Sequence, residues 1–495
     1  MNSTIPMRAS IASNVLAVFS GQLGTWVITA VTFLLIPRYL GPEGTGIMGI
    51  GWVVAGLAAT AAGLGMSSLI TREVARDASE ARTWIATAIW MKIAGGGIAA
   101  TISILLAIAV GYPTLTVLSV AFHALLIPAI LVSSTGVAVF QGLEIMRHAA
   151  IFNVTLKLGI LVGAVVAIAG DMGILGVIIL TNAVPMFVAV LQLFVLRKLF
   201  PFRLFSFSRA AAKRLSVVSI PFFIVTISWA VYHAVDVFAL SLLATEADVG
   251  FYSAPARVFG TLLFIPTTIA VVTFPRFASI FHENPGDLVT LADQVLRITV
   301  TASIAVTLGA IALSDDILIG ILGSEFVEAG PVIVVMALSL VPTGVGAVLA
   351  RMAFATNRQK AVAAIGVVAL VARVGVSIGL ILLFASRFGN PALGAVVGLI
   401  TMEIATAAVM LRFAPRGTFS ADALHFYLKV GASLAAAAVI LVVGWAPLGS
   451  FISGLLAVAA YCAGVLLLRA YRVSDVTTFG RAMFGSRFSR AGASV

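Results

Sequence analysis

Six ionisable residues lie inside long apolar stretches of this sequence: Lys92, Lys157, Asp236, Arg257, Arg373 and Glu403. In a membrane-spanning helix each such charge costs about 2.5–3.5 kcal/mol at the bilayer centre. A charged residue at such a position therefore usually forms an ion pair or belongs to a functional site. Lysine and arginine donate hydrogen bonds to anions, whereas aspartate and glutamate accept them and can take up a proton. The four basic residues could therefore bind an anion, and the two acidic residues could form ion pairs with them or take up a proton.

Lys92 and Lys157 have no acidic residue at a matching depth. Each lies about 12 Å from one end of its predicted helix, taking a rise of about 1.5 Å per residue. A lysine side chain is too short to bring its ammonium the whole way to the membrane interface. Extension of the side chain toward the interface nevertheless stays an alternative. Asn153 is one helical turn before Lys157 and on the same face. We expect these three residues to bind an anionic group in a cavity open to the cytoplasm.

Two pairs of opposite charges, Asp236 with Arg257 and Arg373 with Glu403, lie at matched depth on neighbouring predicted helices. The first pair is about 10 Å from a helix end and the second about 20 Å, near the middle of the membrane. One interpretation is two structural ion pairs that neutralise costly charges. The other is that both pairs line a cavity and break and re-form as the protein changes conformation, with Asp236 or Glu403 titrating.

Fourteen apolar stretches position these residues. Of the 495 residues 61% are hydrophobic and 10% are charged, whereas a soluble chain carries about 25% charged residues. About 20 apolar residues span the hydrocarbon core of a bilayer. The stretches lie near residues 11–37, 44–70, 84–110, 113–140, 149–170, 172–196, 215–243, 250–281, 292–314, 327–350, 360–385, 390–411, 425–447 and 449–469. They predict an all-α polytopic membrane protein with 14 transmembrane helices.

The distribution of lysine and arginine predicts the orientation of these helices. Of the 30 basic residues, only Arg38 and Arg387 fall in the odd-numbered loops, and most of the others fall in the N-terminus, the even-numbered loops and the tail. Basic loops stay in the cytoplasm. We therefore place both termini in the cytoplasm and the protein in the cytoplasmic (inner) membrane. Topology also accounts for the net charge of +11, and no continuous basic face suggests a nucleic-acid partner.

Two motifs that are typical of enzymes occur in an unsuitable context. Gly44–Gly49 matches the dinucleotide fingerprint, but it follows a membrane helix and not a β-strand. Gly375–Gly379 matches the serine-hydrolase elbow, but it lies mid-helix, where small residues allow close packing. The single cysteine, Cys462, and the scattered histidines argue against disulfides and metal sites. We expect no catalytic residue, no metal and no cofactor.

A faint internal repeat predicts the domain organisation. The second stretch is entered through Leu40-Gly-Pro-Glu43-Gly-Thr-Gly46 and the eighth through Leu243-Ala-Thr-Glu246-Ala-Asp-Val-Gly250. The two segments are six helices apart, so helices 1–6 and 7–12 are interpreted as parallel repeats. The predicted domains are an N-terminal lobe (1–200), a C-terminal lobe (201–415), helices 13 and 14 (416–470) and a cytoplasmic tail (471–495). In the tail, apolar residues from Val473 onward at near-helical spacing predict an interfacial helix.

Four segments carry a resemblance to a known family: Arg38-Tyr-Leu-Gly-Pro-Glu43 leading to Gly46; Asp236 followed by Gly250-Phe-Tyr-Ser-Ala254; Ile321-Leu-Gly-Ser-Glu-Phe326 with Ala329 beyond; and Ala355-Thr-Asn-Arg-Gln-Lys360. In this order the chain resembles, over its whole length, the multidrug/oligosaccharidyl-lipid/polysaccharide exporter superfamily, in particular its polysaccharide-biosynthesis oligosaccharide flippases. The resemblance implies two six-helix lobes around a central cavity, which moves an oligosaccharide carried on a polyprenyl phosphate or diphosphate. In that case Lys92, Lys157 and Asn153 would bind the carrier phosphate, and Arg257 and Arg373 of the opposite lobe would receive it.

Two other transporters and one enzyme remain as alternatives. A cation-coupled multidrug exporter of the same superfamily needs acidic residues in the membrane core of the N-terminal lobe, where the predicted helices offer only lysines. A lipid II flippase also has fourteen helices, the last two beside the C-terminal lobe. A membrane glycosyltransferase would need carboxylates on a sizeable outer loop, and the outer loops here are short. The flippase interpretation implies a lipid-linked glycan, the bilayer, a polysaccharide polymerase and glycosyltransferases as partners, and we expect a monomer.

Overall fold

The computed structural model describes residues 11–199, 202, 206–283, 285–312, 314, 320 and 322–471, and within these ranges it contains no strand. The α-helices of the described chain are α1 (Ile11–Gly63), α2 (Met66–Arg76), α3 (Ala78–Val110), α4 (Thr114–Ala124), α5 (Ile127–Gly142), α6 (Met146–Ala169), α7 (Gly173–Leu199), α8 (Arg209–Leu243), α9 (Glu246–Leu262), α10 (Phe264–Glu283), α11 (Leu288–Ala312), α12 (Gly330–Leu338), α13 (Leu340–Ala355), α14 (Gln359–Phe388), α15 (Pro391–Met410) and α16 (Ala421–Leu467). The predicted interfacial helix that starts near Val473 lies outside the described residues.

Thirteen helical segments of the described chain are long and apolar enough to cross a membrane. The first, Val27–Gly63, contains parts of the predicted first and second spans, joined at Gly41, whose φ of 65° breaks the helix. The others correspond one to one with the predicted third to fourteenth spans. Large apolar side chains such as Val190 (70% exposed) and Leu467 (81%) cover the outside, as expected where lipid is the solvent. The predicted all-α membrane fold is confirmed.

Four spans of the described chain are broken in mid-helix, at equivalent positions of the two predicted repeats. The second span breaks between α1 and α2 at Leu64 and Gly65, which have φ of 48° and 66°. The fourth breaks between α4 and α5, the eighth between α9 and α10, and the tenth between α12 and α13. The second and eighth spans, like the fourth and tenth, are six helices apart. The breaks therefore support the parallel repeat that the sequence predicts.

The chain consists of two compact units, Met1–Ala254 and Pro255–Val495. In the first unit, α2, α3, α5 and α7 share a core that contains Met66, Ile85 and Phe140. That core lies beside Lys92 and holds the helices that surround this lysine.

In the second unit, α10, α11 and α13 share a core around Phe277 and Leu349. A separate cluster, which includes Phe426 and Tyr461, joins α11 to α16. The lobe boundaries at residues 200 and 415 come from the sequence repeat and stay predictions.

The two repeat motifs contact each other within the first unit, in an arrangement we call the glycine contact. A Cβ atom added at Gly46 on α1 would overlap the carbonyl oxygen of Glu246, the first residue of α9. A Cβ atom added at Gly250 on α9 would overlap the carbonyl oxygen of Pro42 on α1. In each motif, the glycine lies four residues after the residue whose carbonyl oxygen faces the glycine of the other motif. The contact is therefore reciprocal. Only glycine permits this approach of two backbones.

Candidate functional site

Lys92 is a fully enclosed charge of the first unit. Its side chain is 0% exposed, and its Nζ donates hydrogen bonds to three hydroxyl oxygens. They belong to Ser67 on α2 (2.9 Å) and to Ser134 and Thr135 on α5 (3.1 and 2.9 Å). An ammonium has three N–H donors, so all of its donors are satisfied. We call these three side chains the hydroxyl cluster.

Hydrogen bonds to the backbone orient the hydroxyl cluster so that its oxygen atoms can accept from the lysine. Ser134 and Thr135 donate their own hydrogens to the carbonyl oxygen of Leu131, at 2.8 and 3.1 Å, a bond that serine and threonine make readily in membrane helices. Their oxygen lone pairs are therefore left for the ammonium. Ser67 donates to Ser134 Oγ at 3.2 Å and reaches it because the helix is broken at Gly65. Each cluster member thus accepts one bond from Lys92.

The charge of Lys92 is solvated but not neutralised. In the described part of the chain no carboxylate lies within salt-bridge distance of this lysine. Hydroxyl dipoles lower the cost of a buried ammonium without cancelling its field. Ser67 and Ser134 are half-buried, so they lie closer to the surface than the ammonium does. Sequence reasoning missed them, although Ser133-Ser134-Thr135 is a conspicuous polar run in an apolar stretch.

Lys157 and Asn153 lie on α6, where Lys157 is half-buried and Asn153 is exposed. Neither takes part in the hydrogen bonds of Lys92, whose partners are the three hydroxyls. The helices α3 and α6 share α1 and α5 as packing neighbours. The structure therefore puts both lysines in one helix bundle, and their joint action on one ligand stays a prediction.

Asp236 on α8 is 0% exposed and accepts a hydrogen bond of 2.5 Å from the hydroxyl of Tyr252 on α9. Tyr252 belongs to the segment Gly250–Ala254 but was not predicted as a partner of the carboxylate. Arg257, also on α9, is half-buried and belongs to the second unit. The predicted pairing of Asp236 with Arg257 stays a prediction.

Arg373 and Glu403 lie on α14 and α15, which pack against each other. Arg373 is 1% exposed, and Glu403 is half-buried and accepts a 2.8 Å hydrogen bond from Thr343 Oγ1 on α13. Gly398 permits the close approach of α15, since a Cβ atom there would lie 3.3 Å from the Cα atom of Ser377, one turn after Arg373. Thr343 was missed in the sequence, and the ion pair stays a prediction.

A charge reversal tests this pair. We expect Arg373→Glu or Glu403→Arg alone to lower membrane abundance and transport, because each leaves two like charges in the membrane core. The double reversal should restore a substantial part of both, measured by fluorescence-detected abundance and by transport. Arg412→Glu, at an exposed position near the end of α15, is the matched control. If the double variant recovers nothing, the two side chains act separately.

In the described residues no group of three histidine, cysteine, aspartate or glutamate side chains is placed to hold a metal ion. The arrangement instead consists of Lys92 with three hydroxyl partners, and of the carboxylates Asp236 and Glu403, each with one hydroxyl donor. With thirteen helical segments of the described chain that are long and apolar enough to cross a membrane, these features describe a multi-pass membrane protein with charged groups inside its spanning segments.

The chain belongs to the polysaccharide biosynthesis protein family, whose sequence model matches residues 11–281. A search of curated proteins finds no match. Among solved structures, the lipid II flippase MurJ in an inward closed conformation is similar, with a TM-score of 0.68, 13% identity, and coverage of 92% of this chain and 99% of that chain. An inward-facing multidrug resistance MATE transporter of the MOP superfamily has a TM-score of 0.62 and 19% identity, over 78% of this chain and 93% of that one.

A third similar structure is a MOP superfamily transporter from Pyrococcus furiosus, described as having a binding pocket of reversed polarity and a different function. Its TM-score is 0.54 with 17% identity, over 82% of this chain and 96% of that chain. These structures share the fold with the present protein. The resemblance to this superfamily that the sequence suggested is confirmed.

Proposed function

We propose that the protein is a flippase that moves a polyprenyl phosphate- or diphosphate-linked oligosaccharide across the cytoplasmic membrane by alternating access. The observation that carries the proposal is Lys92, a buried cation that three hydroxyls solvate and that no carboxylate of the described residues neutralises. A membrane protein that keeps such a charge at a cost of about 2.5–3.5 kcal/mol has a use for its positive field. An anionic cargo is the ligand that this field favours.

The charge pattern of the segment from Trp84 to Leu199 in the first unit supports an anionic cargo over a cationic one. Between Trp84 and Leu199 the sequence has two acidic residues, Glu144 and Asp171, and both lie at helix ends and outside the spanning segments. The same region contributes Lys92 and Lys157 to the membrane interior. A cation-coupled multidrug exporter would need the opposite sign there, since Na⁺ or an organic cation is held by carboxylates.

Membership in the polysaccharide biosynthesis family supports a lipid-linked glycan as the cargo. The carrier phosphate supplies the negative charge for the lysines, and Asn153 can donate a further hydrogen bond to it. Arg257 and Arg373 of the second unit would receive the phosphate later in the cycle, with Asp236 or Glu403 as the coupling group. In this proposal both termini are cytoplasmic, the protein works as a monomer beside the polymerase and glycosyltransferases, and it catalyses no reaction.

A lipid II flippase is the second candidate, because a structure of that class matches nearly the full length of both chains. Lipid II is also a polyprenyl diphosphate-linked saccharide, so the two candidates share the phosphate chemistry. They differ in the sugar, which must be decided by measurement.

Reconstitution in proteoliposomes tests the proposed function. We expect the purified protein to translocate a fluorescent polyprenyl diphosphate oligosaccharide, and to leave an organic cation drug untransported. Lys157→Ala should slow translocation, whereas Lys157→Arg should retain it, because charge and not shape serves the phosphate. Lys198→Ala, an exposed position at the end of α7, is the control. Drug transport without glycan translocation would show that the protein is an exporter.

A further inference from the structure

A cavity of about 730 Å³ lies in the second unit, between α11 and the two ends of α16. The start of α16, the end of α16 and the start of α11 all contribute to its wall, so these three termini face the same side of the membrane. By the distribution of basic residues, that side is the cytoplasmic one. None of the six charges discussed above lines this cavity.

The end of the cavity near the helix termini is charged. Arg297 forms an ion pair with Asp293, with Nη2–Oδ2 and Nε–Oδ1 distances of 2.7 and 2.9 Å. Its guanidinium also lies over the ring of Phe426, 4.8 Å from the centroid. The charge of Arg297 is therefore cancelled and its position is fixed. Arg297 forms a wall of the cavity and leaves ligand binding to other groups.

Two other cations remain available at this end. Lys429 Nζ donates to the carbonyl oxygen of Arg469 at a distance of 3.3 Å, which uses one of its three N–H donors. The guanidinium of Arg469 makes no hydrogen bond or ion pair with any described residue, and the residue is exposed at the end of α16. Asp422 is the one further acid on the wall. The available groups thus carry one net positive charge, which favours a lipid with an anionic phosphate.

The rest of the cavity is apolar and runs along the helices toward the membrane interior. Small and aliphatic side chains form this part: Ile298, Ala302, Ala305, Cys462, Val465 and Leu466. Hydrogen bonds brace the wall, since the Tyr461 hydroxyl donates to the carbonyl of Thr301 at 3.3 Å and Thr301 Oγ1 lies 2.9 Å from the Tyr471 hydroxyl. A polar mouth at the interface and an apolar interior fit an amphiphile with one phosphate and a hydrocarbon chain.

We propose that this cavity binds the phosphate of a membrane lipid from the cytoplasmic leaflet, with Lys429 and Arg469 on the phosphate. Two lipids offer that chemistry, an anionic phospholipid and a polyprenyl phosphate carrier. The first would be a resident lipid that stabilises the junction of α11 with α16. The second would place a cargo-recruiting site on the second unit. Neither version depends on the proposed role of Lys92.

The single cysteine of the chain gives a direct reporter, because Cys462 lines the cavity and is exposed. The rate at which a maleimide dye labels Cys462 is measured on the full-length protein in detergent with added phosphatidylcholine, phosphatidylglycerol or polyprenyl phosphate. At a lipid concentration about ten times its Kd, labelling should slow about tenfold, because only the empty form reacts. Protection by phosphatidylglycerol identifies a resident phospholipid, and protection by polyprenyl phosphate alone identifies the carrier.

The variant Lys429→Gln/Arg469→Gln should lose this protection while its unprotected labelling rate and thermal stability stay those of the wild type. Arg416→Gln, an exposed arginine that does not line the cavity, should remain protected. If the double variant has an altered melting temperature, Ala302→Trp supplies the second test, since filling the apolar part should also abolish lipid protection. Equal protection by phosphatidylcholine, or undiminished protection of both variants, would overturn the proposal.

Discussion

Replacing Lys92 with methionine is expected to lower glycan translocation by at least about tenfold. Methionine keeps much of the apolar stem and removes the ammonium, so the change deletes a charge and three hydrogen bonds with little loss of volume. Two unit charges about 10 Å apart interact by about 1.7 kcal/mol at an effective dielectric constant of about 20, and about 1.4 kcal/mol corresponds to a factor of ten. If the cargo phosphate uses the field of Lys92, transport falls by that factor or more. The measurement is the initial rate in proteoliposomes, normalised to reconstituted protein.

A purely structural role of Lys92 would give a different result. The hydroxyl cluster binds α2 and α5 to α3 through this lysine, so its loss could act through stability alone. In that case the melting temperature and the translocation rate of Lys92→Met would fall together, and a low temperature would restore transport. A binding role predicts that the rate stays low at every temperature where the variant is folded.

Variants of the hydroxyl cluster further distinguish a cargo-binding role of Lys92 from a structural one. Ser67→Ala removes one partner and leaves the ammonium in place, so we expect a smaller loss of transport than in Lys92→Met. The double variant Lys92→Met/Lys157→Ala should be the least active, and Lys198→Met, on the exposed end of α7, should be unaffected. If the double variant transports like the wild type, neither lysine serves the cargo and the anionic-cargo argument is lost.

The sequence predicted that Lys92 lies inside a spanning segment, but not what surrounds its side chain. Depth follows from counting residues within one apolar stretch, and this requires only helical geometry. The hydroxyl cluster instead comes from residues 25, 42 and 43 positions away. Its assembly depends on the break at Leu64 and Gly65, which turns α2 toward α5. Periodicity within a stretch carries no information on such packing between helices.

The number of spans was predictable, whereas the breaks within them were not. Apolar length alone decides whether a segment crosses the bilayer, so the fourteen stretches were recognised without knowledge of the packing. The tenth span, however, breaks at Ser339, and the eighth at Leu263, residues that usually continue a helix. A proline follows each break by three residues, Pro342 and Pro266, and removes a backbone N–H donor of the helix. Pro185 and Pro221, however, lie inside unbroken helices, so prolines alone do not predict the breaks. The breaks became visible as a pattern because they recur six helices apart.

The two repeat motifs are a weak sequence signal that the structure explains by a direct contact between them. Alone, the spacing of Gly46 and Gly250 in their segments suggested a duplicated arrangement of helices. In the structure, these two glycines are the ones whose added Cβ atoms would overlap a backbone carbonyl of the other motif. The glycines are therefore explained by a contact between the repeats, and each motif supplies both a glycine and a carbonyl.

Alanine at Gly46 is expected to destabilise the protein by about 1–3 kcal/mol or more, the range found when well-packed interiors are overfilled. The obstacle to the new methyl group is the carbonyl oxygen of Glu246, which is backbone and cannot rotate away as a side chain would. The start of α9 must move away from α1, and Gly49 beside Ser253 Oγ loses its contact as well. Gly250→Ala should have a similar effect through the carbonyl of Pro42. Thermal unfolding in detergent measures both.

The chain provides matched controls for this prediction. Gly56 and Gly260 lie ten residues after Gly46 and Gly250 in the same helical spans, and an added Cβ atom at either meets nothing within 4 Å. Alanine at these two positions should leave the melting temperature unchanged or raise it, since alanine is the better helix former. Equal melting temperatures for Gly46→Ala and Gly56→Ala would show that the contact is absent from the protein in solution.

The double variant Gly46→Ala/Gly250→Ala then distinguishes one shared contact from two separate ones. If the motifs form a single reciprocal contact, the first alanine already separates α1 from α9, and the second adds little to the loss of stability. Two independent sites would instead give additive losses, as distant substitutions do. We expect a clearly less than additive loss, because each alanine relieves the overlap that the other would create.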